Sequence, residues 1–109
     1  MPQLLIKETR PSTDINFFHY DQEINQYIQN NFVNTGKLIS KKEMLSADNL
    51  IRFTTLNFVN ESANDLFFND TVLAFQFTAK EDYNKYYNID YVHTYQTSLI
   101  PLVISPNIR

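Results

Sequence analysis

Leu50-Ile51-Arg52-Phe53-Thr54-Thr55-Leu56-Asn57-Phe58-Val59 is the stretch on which the fold turns. It is rich in β-branched and aromatic residues and reads as the strongest strand in the chain. Just upstream, Ser46-Ala47-Asp48-Asn49 is a polar turn and Leu38–Leu45 a second strand, so the two strands make a hairpin. Further back, Phe17, Tyr20, Ile24, Tyr27, Ile28 and Phe32 recur at the spacing of one helix face. This predicts a helix from about Phe17 to Asn34 that Asp14 or Asp21 can cap. Gly36, the only glycine, falls just past that pattern, where a left-handed position disfavours any side chain with a Cβ. Gln3 to Pro11 reads as a first strand ended by its proline.

Downstream of the central strand, Asn60–Asp65 has helix-start chemistry, with Ser62 and Asp65 spaced as a capping box, and Leu66-Phe67-Phe68 is the apolar side of a short helix. Asn69-Asp70-Thr71 is a break and a new cap. A long helix follows from Thr71 to about Asn88, with Val72, Phe75, Ala79, Tyr83, Tyr86 and Tyr87 on one side and a Glu81–Lys85 pair at i, i+4. Asp90–Leu99 returns to strand composition, and Pro101 and Pro106 keep residues 100–109 extended. The order strand, helix, strand, strand, helix, strand predicts an α+β domain of the ferredoxin-like β-α-β-β-α-β kind. Its four-stranded antiparallel sheet has both helices on one face, and the bare face favours self-association.

Composition bounds the rest. A chain of 109 residues holds one core, hence a single domain over 1–109. With 43% hydrophobic residues and a net charge of -3 it is expected to fold rather than stay disordered. Having no cysteine, it has no disulfide, thiolate nucleophile or sulfur-ligated metal. No apolar run reaches signal-peptide or membrane-spanning length, so a soluble cytoplasmic protein with no membrane partner is expected. A pI near 5.2 gives no attraction to phosphate backbones. RNA-recognition modules share the topology, but their third strand needs two glycines that Arg52–Phe58 lacks, so no nucleic acid is expected. Phe, Tyr, Met, Ile, Asn and Lys, all favoured by AT-rich codons, make up 47 of the 109 residues, which discounts the aromatic content as a functional signal.

The layout resembles the dimeric α+β barrel superfamily of antibiotic-biosynthesis-monooxygenase-like domains. The stretches that carry the likeness are Arg52–Phe58, Phe67-Phe68-Asn69-Asp70 and Tyr83-Asn84-Lys85-Tyr86-Tyr87-Asn88-Ile89. The resemblance implies a homodimer whose sheets face each other, the last strand and the tail at 100–109 reaching towards the partner. It also implies a small-molecule cavity between sheet and helices. The chain departs from the catalytic relatives in lacking Trp, and its histidines lie away from the second helix, so a haem role is disfavoured and no cofactor is expected.

Among chemical candidates, His93 shares a strand face with Tyr91 and Tyr95 and offers a titratable group to a pocket. A structural histidine bonded in a core or interface is the alternative. Asn57, an amide among apolar neighbours such as Phe53, needs a partner, which is either a ligand oxygen or a protein group. Arg52, on the opposite face, can meet an acidic head at a pocket mouth, and His19 lies near the first helix start. Phe53, Phe67, Phe75, Tyr83, Tyr87 and Tyr95 complete the candidate ligand-binding set, with plain core as the alternative. No metal spacing, phosphate loop or nucleophile elbow occurs, and two glycosylation sequons read as helix starts. The function expected is a dimeric small-molecule binder with an apolar cavity for a fatty-acid- or polyketide-like ligand. It extends to a cofactor-independent oxygenase in which His93 is the base and Asn57 steadies an oxyanion. The alternative is a structural or interaction dimer with a filled aromatic core.

Overall fold

Strand β1 (Gln3–Thr9) lies at the centre of the sheet in the computed structural model, which describes residues 2–96. Its neighbours are β3 (Ile51–Phe58) and β4 (Asp90–Gln96), and β2 (Leu38–Leu45) pairs with the far side of β3, giving the order β2-β3-β1-β4 with every pair antiparallel. Helix α1 (Gln22–Ile28) runs on into a π-helical turn at Gln29–Val33, and α2 (Glu61–Phe68) and α3 (Thr71–Tyr86) form a corner. The protein is therefore α+β with a four-stranded antiparallel sheet, compatible with a ferredoxin-like fold. Among the described residues no helix is long and apolar enough to cross a membrane. The extended tail expected at 100–109, and the end of the last strand at 97–99, lie outside the described residues.

Side-chain alternation divides the sheet. Leu4, Ile6, Leu38, Leu56 and Phe58 pack against Ile28 and Phe32 from the first helical segment, Ala63 and Phe67 from α2, and Leu73 from α3. The Phe67 ring is the hub, meeting Phe32, Phe58, Phe68 and Phe77 with centroids between 5.0 and 5.8 Å. Each buried ring stabilises by about 2–3 kcal/mol. The other sheet face carries half-buried Leu5, Phe53 and Val92 with exposed Met44.

Three expectations need correction. The first helix starts at Gln22 and not at Phe17, because Asp21 is its cap: Ile24 N donates to Asp21 Oδ1 at 2.9 Å. Phe17 to Tyr20 form an irregular segment whose rings engage other elements. The short helix is capped by Asn60, whose Oδ1 accepts from Ala63 N at 2.8 Å, so Ser62 lies inside it. On α3 the sheet-facing stripe is Leu73, Phe77, Lys80 and Asn84, whereas Val72, Phe75, Ala79 and Tyr86 point outwards, Phe75 and Tyr86 each 78% exposed.

Other signals hold. Gly36 has φ +80°, and Asn88 at φ 58° follows α3, where Ile89 N donates to the Asn84 carbonyl at 2.8 Å. Asp70 caps α3 through Oδ1, accepting from Val72 N at 2.9 Å and Leu73 N at 3.0 Å, and through Oδ2 accepts the Tyr27 hydroxyl at 2.7 Å. One carboxylate thus ties α1 to the corner between α2 and α3. In β2 the pairing skips a residue between Leu38 and Ser40, a bulge at Ile39 that reverses the parity. Leu38 faces the helices before it, and Lys41 and Glu43 do so after it.

Candidate functional site

Polarity changes along the helix-facing side of the sheet. At one end the cross-strand neighbours are Leu38 and Phe58, then Leu4 and Leu56, and at the other they are Glu8, Arg52 and Tyr91. Over this gradient the helices leave a cavity of about 430 Å³. Its apolar end is walled by Ile28, Leu38, Leu56, Phe67, Phe68 and Phe77. Its polar end is walled by Tyr20, Lys41, Glu43, Arg52, Lys80 and His93. The irregular segment after β1 brings Phe18, His19 and Tyr20 to the wall, and Tyr83 holds it by donating its hydroxyl to the Asn16 carbonyl at 2.6 Å.

Behind the polar wall lies Glu8, wholly buried. Arg52 Nε donates to its Oε1 at 2.8 Å and Arg52 Nη2 stands 2.7 Å from the same oxygen. Lys80 Nζ is 3.6 Å from Oε2, within ion-pair range but too far for a hydrogen bond. The Arg52 and Arg10 guanidiniums both lie over the Phe17 ring, at 4.9 and 4.5 Å from its centroid. Lys41 and the carboxylates of Glu43 and Glu81 line the same end, Lys41 Nζ standing 3.9 Å from Glu43 Oε2, so cations and carboxylates are gathered here together.

The surroundings shift the nearby groups. Burial, and then the negative charge of Glu8, push the Tyr20 hydroxyl up to about 12, so it stays a neutral hydrogen-bonding group. Burial lowers the Lys80 ammonium, with Glu8 pulling the other way. Burial lowers His93, reinforced by the Lys80 charge, although as an edge-strand residue His93 keeps one flank open to solvent.

Of the residues singled out in the sequence, His93, Arg52, Phe67 and His19 share this cavity. Asn57 does not, because its position on β3 points it through the opposite face. There Gln3 Nε2 donates to its Oδ1 at 3.1 Å and its Nδ2 donates to Ser40 Oγ at 2.8 Å. Its partners are protein groups, and it does not meet His93 within one protomer. Phe53 lies on that same far face. Phe75 points outwards from α3, while Tyr83, Tyr87 and Tyr95 lie off the cavity wall.

Among the site members that the sequence does not single out are Tyr20, Lys41, Glu43 and the two that matter most to its charge, Glu8 and Lys80. Glu8 was legible in principle, since strand parity puts it in phase with Leu4 and Ile6 on the core face. Lys80 sits seven residues from Leu73 on one helix face, a spacing hidden by the rings elsewhere on α3. Among the described residues no group of three or more His, Asp or Glu is placed to hold a metal ion.

Fold and cavity together define an α+β protein with a two-ended cleft, apolar at one end and charged at the other. Compared with models of protein families, with curated proteins and with solved structures, the chain matches none.

Proposed function

We propose that this chain binds an elongated hydrophobic molecule with an acidic head, fatty-acid-like in shape, as a homodimer of ferredoxin-like protomers in the cytoplasm. The observation that carries the reading is the two-ended cavity: rings and aliphatic chains for the tail, Lys80 and Arg52 for the head. Its 430 Å³ falls in the usual range for small-molecule sites. Arg52 is already engaged on Glu8, so Lys80 is the head's first partner. The aromatic richness that would suit a filled core instead surrounds open space, which favours the binder over the purely structural alternative. The dimeric α+β barrel reading rests on element order and on the sheet face, with Leu5, Phe53 and Met44, that no helix covers among the described residues. Asn57 takes no part in the proposed site.

The test is competition between decanoate and decanol for the purified protein, read by displacement of a fluorescent fatty-acid analogue. Decanoate is expected to bind about tenfold tighter, a difference of about 1.4 kcal/mol. Lys80→Met is expected to erase that preference while decanol affinity holds. Failure of both probes to bind, together with an empty native mass spectrum of protein purified from cells, would overturn the proposal.

A further inference from the structure

We infer that Lys80 is a covalent capture site for aliphatic aldehydes or ketones, forming a reversible iminium in the cleft. This rests on the cleft's being a ligand site but concerns a different chemistry from anion binding. Four features of the site point to it. Lys80 lines the cavity and its side chain is only 16% exposed, a desolvated setting of the kind in which lysine amines become nucleophilic. It stands less than one turn beyond Phe77, so a carbonyl on an alkyl chain lying among Phe67, Phe68 and Phe77 would face it. His93 lines the same cavity and is held towards its neutral form, able to take and return a proton. Glu8 Oε2, with Oε1 already taken by Arg52, is a fixed counter-ion whose need is the same before and after reaction.

The last feature follows from the balance of the step. The Lys80 ammonium gives one proton to His93, and the free amine attacks the carbonyl carbon, forming the C–N bond and moving the carbonyl π-electrons to oxygen. A second proton passes from nitrogen to that oxygen, giving a neutral carbinolamine. His93 returns its proton to the oxygen, the C–O bond breaks, and water leaves. The nitrogen keeps one hydrogen as an iminium. The net change is ammonium plus carbonyl to iminium plus water, so the nitrogen beside Glu8 carries one positive charge before and after the reaction, with His93 carrying it in between. Arg52 and Lys41 also bear on Lys80 electrostatically, and Glu81 and Glu43 line the cavity. None of these must change protonation for the step.

The experiment is reductive trapping: the intact chain with decanal and borohydride, followed by mass measurement and peptide mapping. Expected is one reduced adduct at Lys80, formed at least about tenfold faster than at Lys7, Lys37, Lys41, Lys42 or Lys85. Lys80→Arg, which keeps the charge beside Glu8, loses that adduct, whereas Lys85→Arg does not. His93→Gln slows trapping by up to about a hundredfold. Adducts spread evenly over the exposed lysines, or trapping indifferent to His93, would overturn the inference. Should Lys80→Arg fold poorly, the wild-type peptide map alone decides. Decanoate binding without preferential adduct formation sinks this inference and leaves the proposed function standing, and failure of decanoate and decanol to bind removes both.

Discussion

Glu8 holds Arg52 on one oxygen and Lys80 on the other, and a buried carboxylate of this kind is destabilising to break but can be replaced as a unit. Glu8→Gln is accordingly expected to cost about 3 kcal/mol in urea unfolding, because two cations are left without a counter-charge. Exchanging Glu8 and Arg52 together for methionine should recover much of that loss; a double variant as weak as the single one would show that the pair is needed as charges. His93 gives a pH dependence. In the unfolded chain it takes up a proton near pH 6.5, and in the folded chain only at a lower pH, since burial opposes the charge. Within that window the unfolded state binds more protons, so the His93 contribution to stability is lost as the pH falls. The drop in stability between pH 7 and pH 5 should therefore be smaller in His93→Gln than in the wild type. At this scale the sequence was partly legible. The opposed faces of Arg52 and Asn57 and the shared face of Tyr91, His93 and Tyr95 follow from strand parity alone. Which face acquires a cavity depends on where the helices land, and no single strand encodes that.

Elements were recovered where composition and punctuation agreed. The β2–β3 hairpin falls where its strand residues and the Ser46–Asn49 turn place it, and Asp70 marks the break before α3. The faces of α3 were misassigned for a physical reason: Phe75, Tyr83 and Tyr86 on one side and Phe77 on another give the helix little directional hydrophobicity, so packing decides. The start of α1 was missed because Phe17 and Tyr20 fit a helical period yet serve the arginines and the cleft. The two acceptor roles of Asp70 make it the more consequential cap. Asp70→Ala is expected to lower stability by about 2 kcal/mol and Asn60→Ala by about 1 kcal/mol in denaturant melts. Equal losses would mean that the Tyr27–Asp70 bond adds nothing beyond capping.

For the molecule as a whole, the proposed dimer places the sheet face opposite the helices against a second copy. Phe53→Glu puts a charge at the middle of that face without touching the core behind it. It is expected to convert a dimer at micromolar concentration into a monomer in sedimentation, with the unfolding free energy per protomer little changed; a wild type already monomeric there would exclude the barrel arrangement. The outer face of α3, with Phe75 and Tyr86 in solvent, lies on the other side of the molecule and should not respond to this change.

The irregular pairing in β2 bears on how the chain tolerates altered length. Ile39 is the residue without a counterpart across the ladder, half exposed and flanked by Leu38 paired with Phe58 and Ser40 paired with Asn57. Excising it closes the ladder into regular alternation and leaves Lys41 and Glu43 aimed at the cleft. Excising Lys42 instead would keep Lys41 in place but carry Glu43 to the far face and bring Met44 in behind it. Length variation in this edge is therefore tolerated where the strand already carries a surplus residue, and a deletion scan should find Ile39 the mildest position between Leu38 and Leu45.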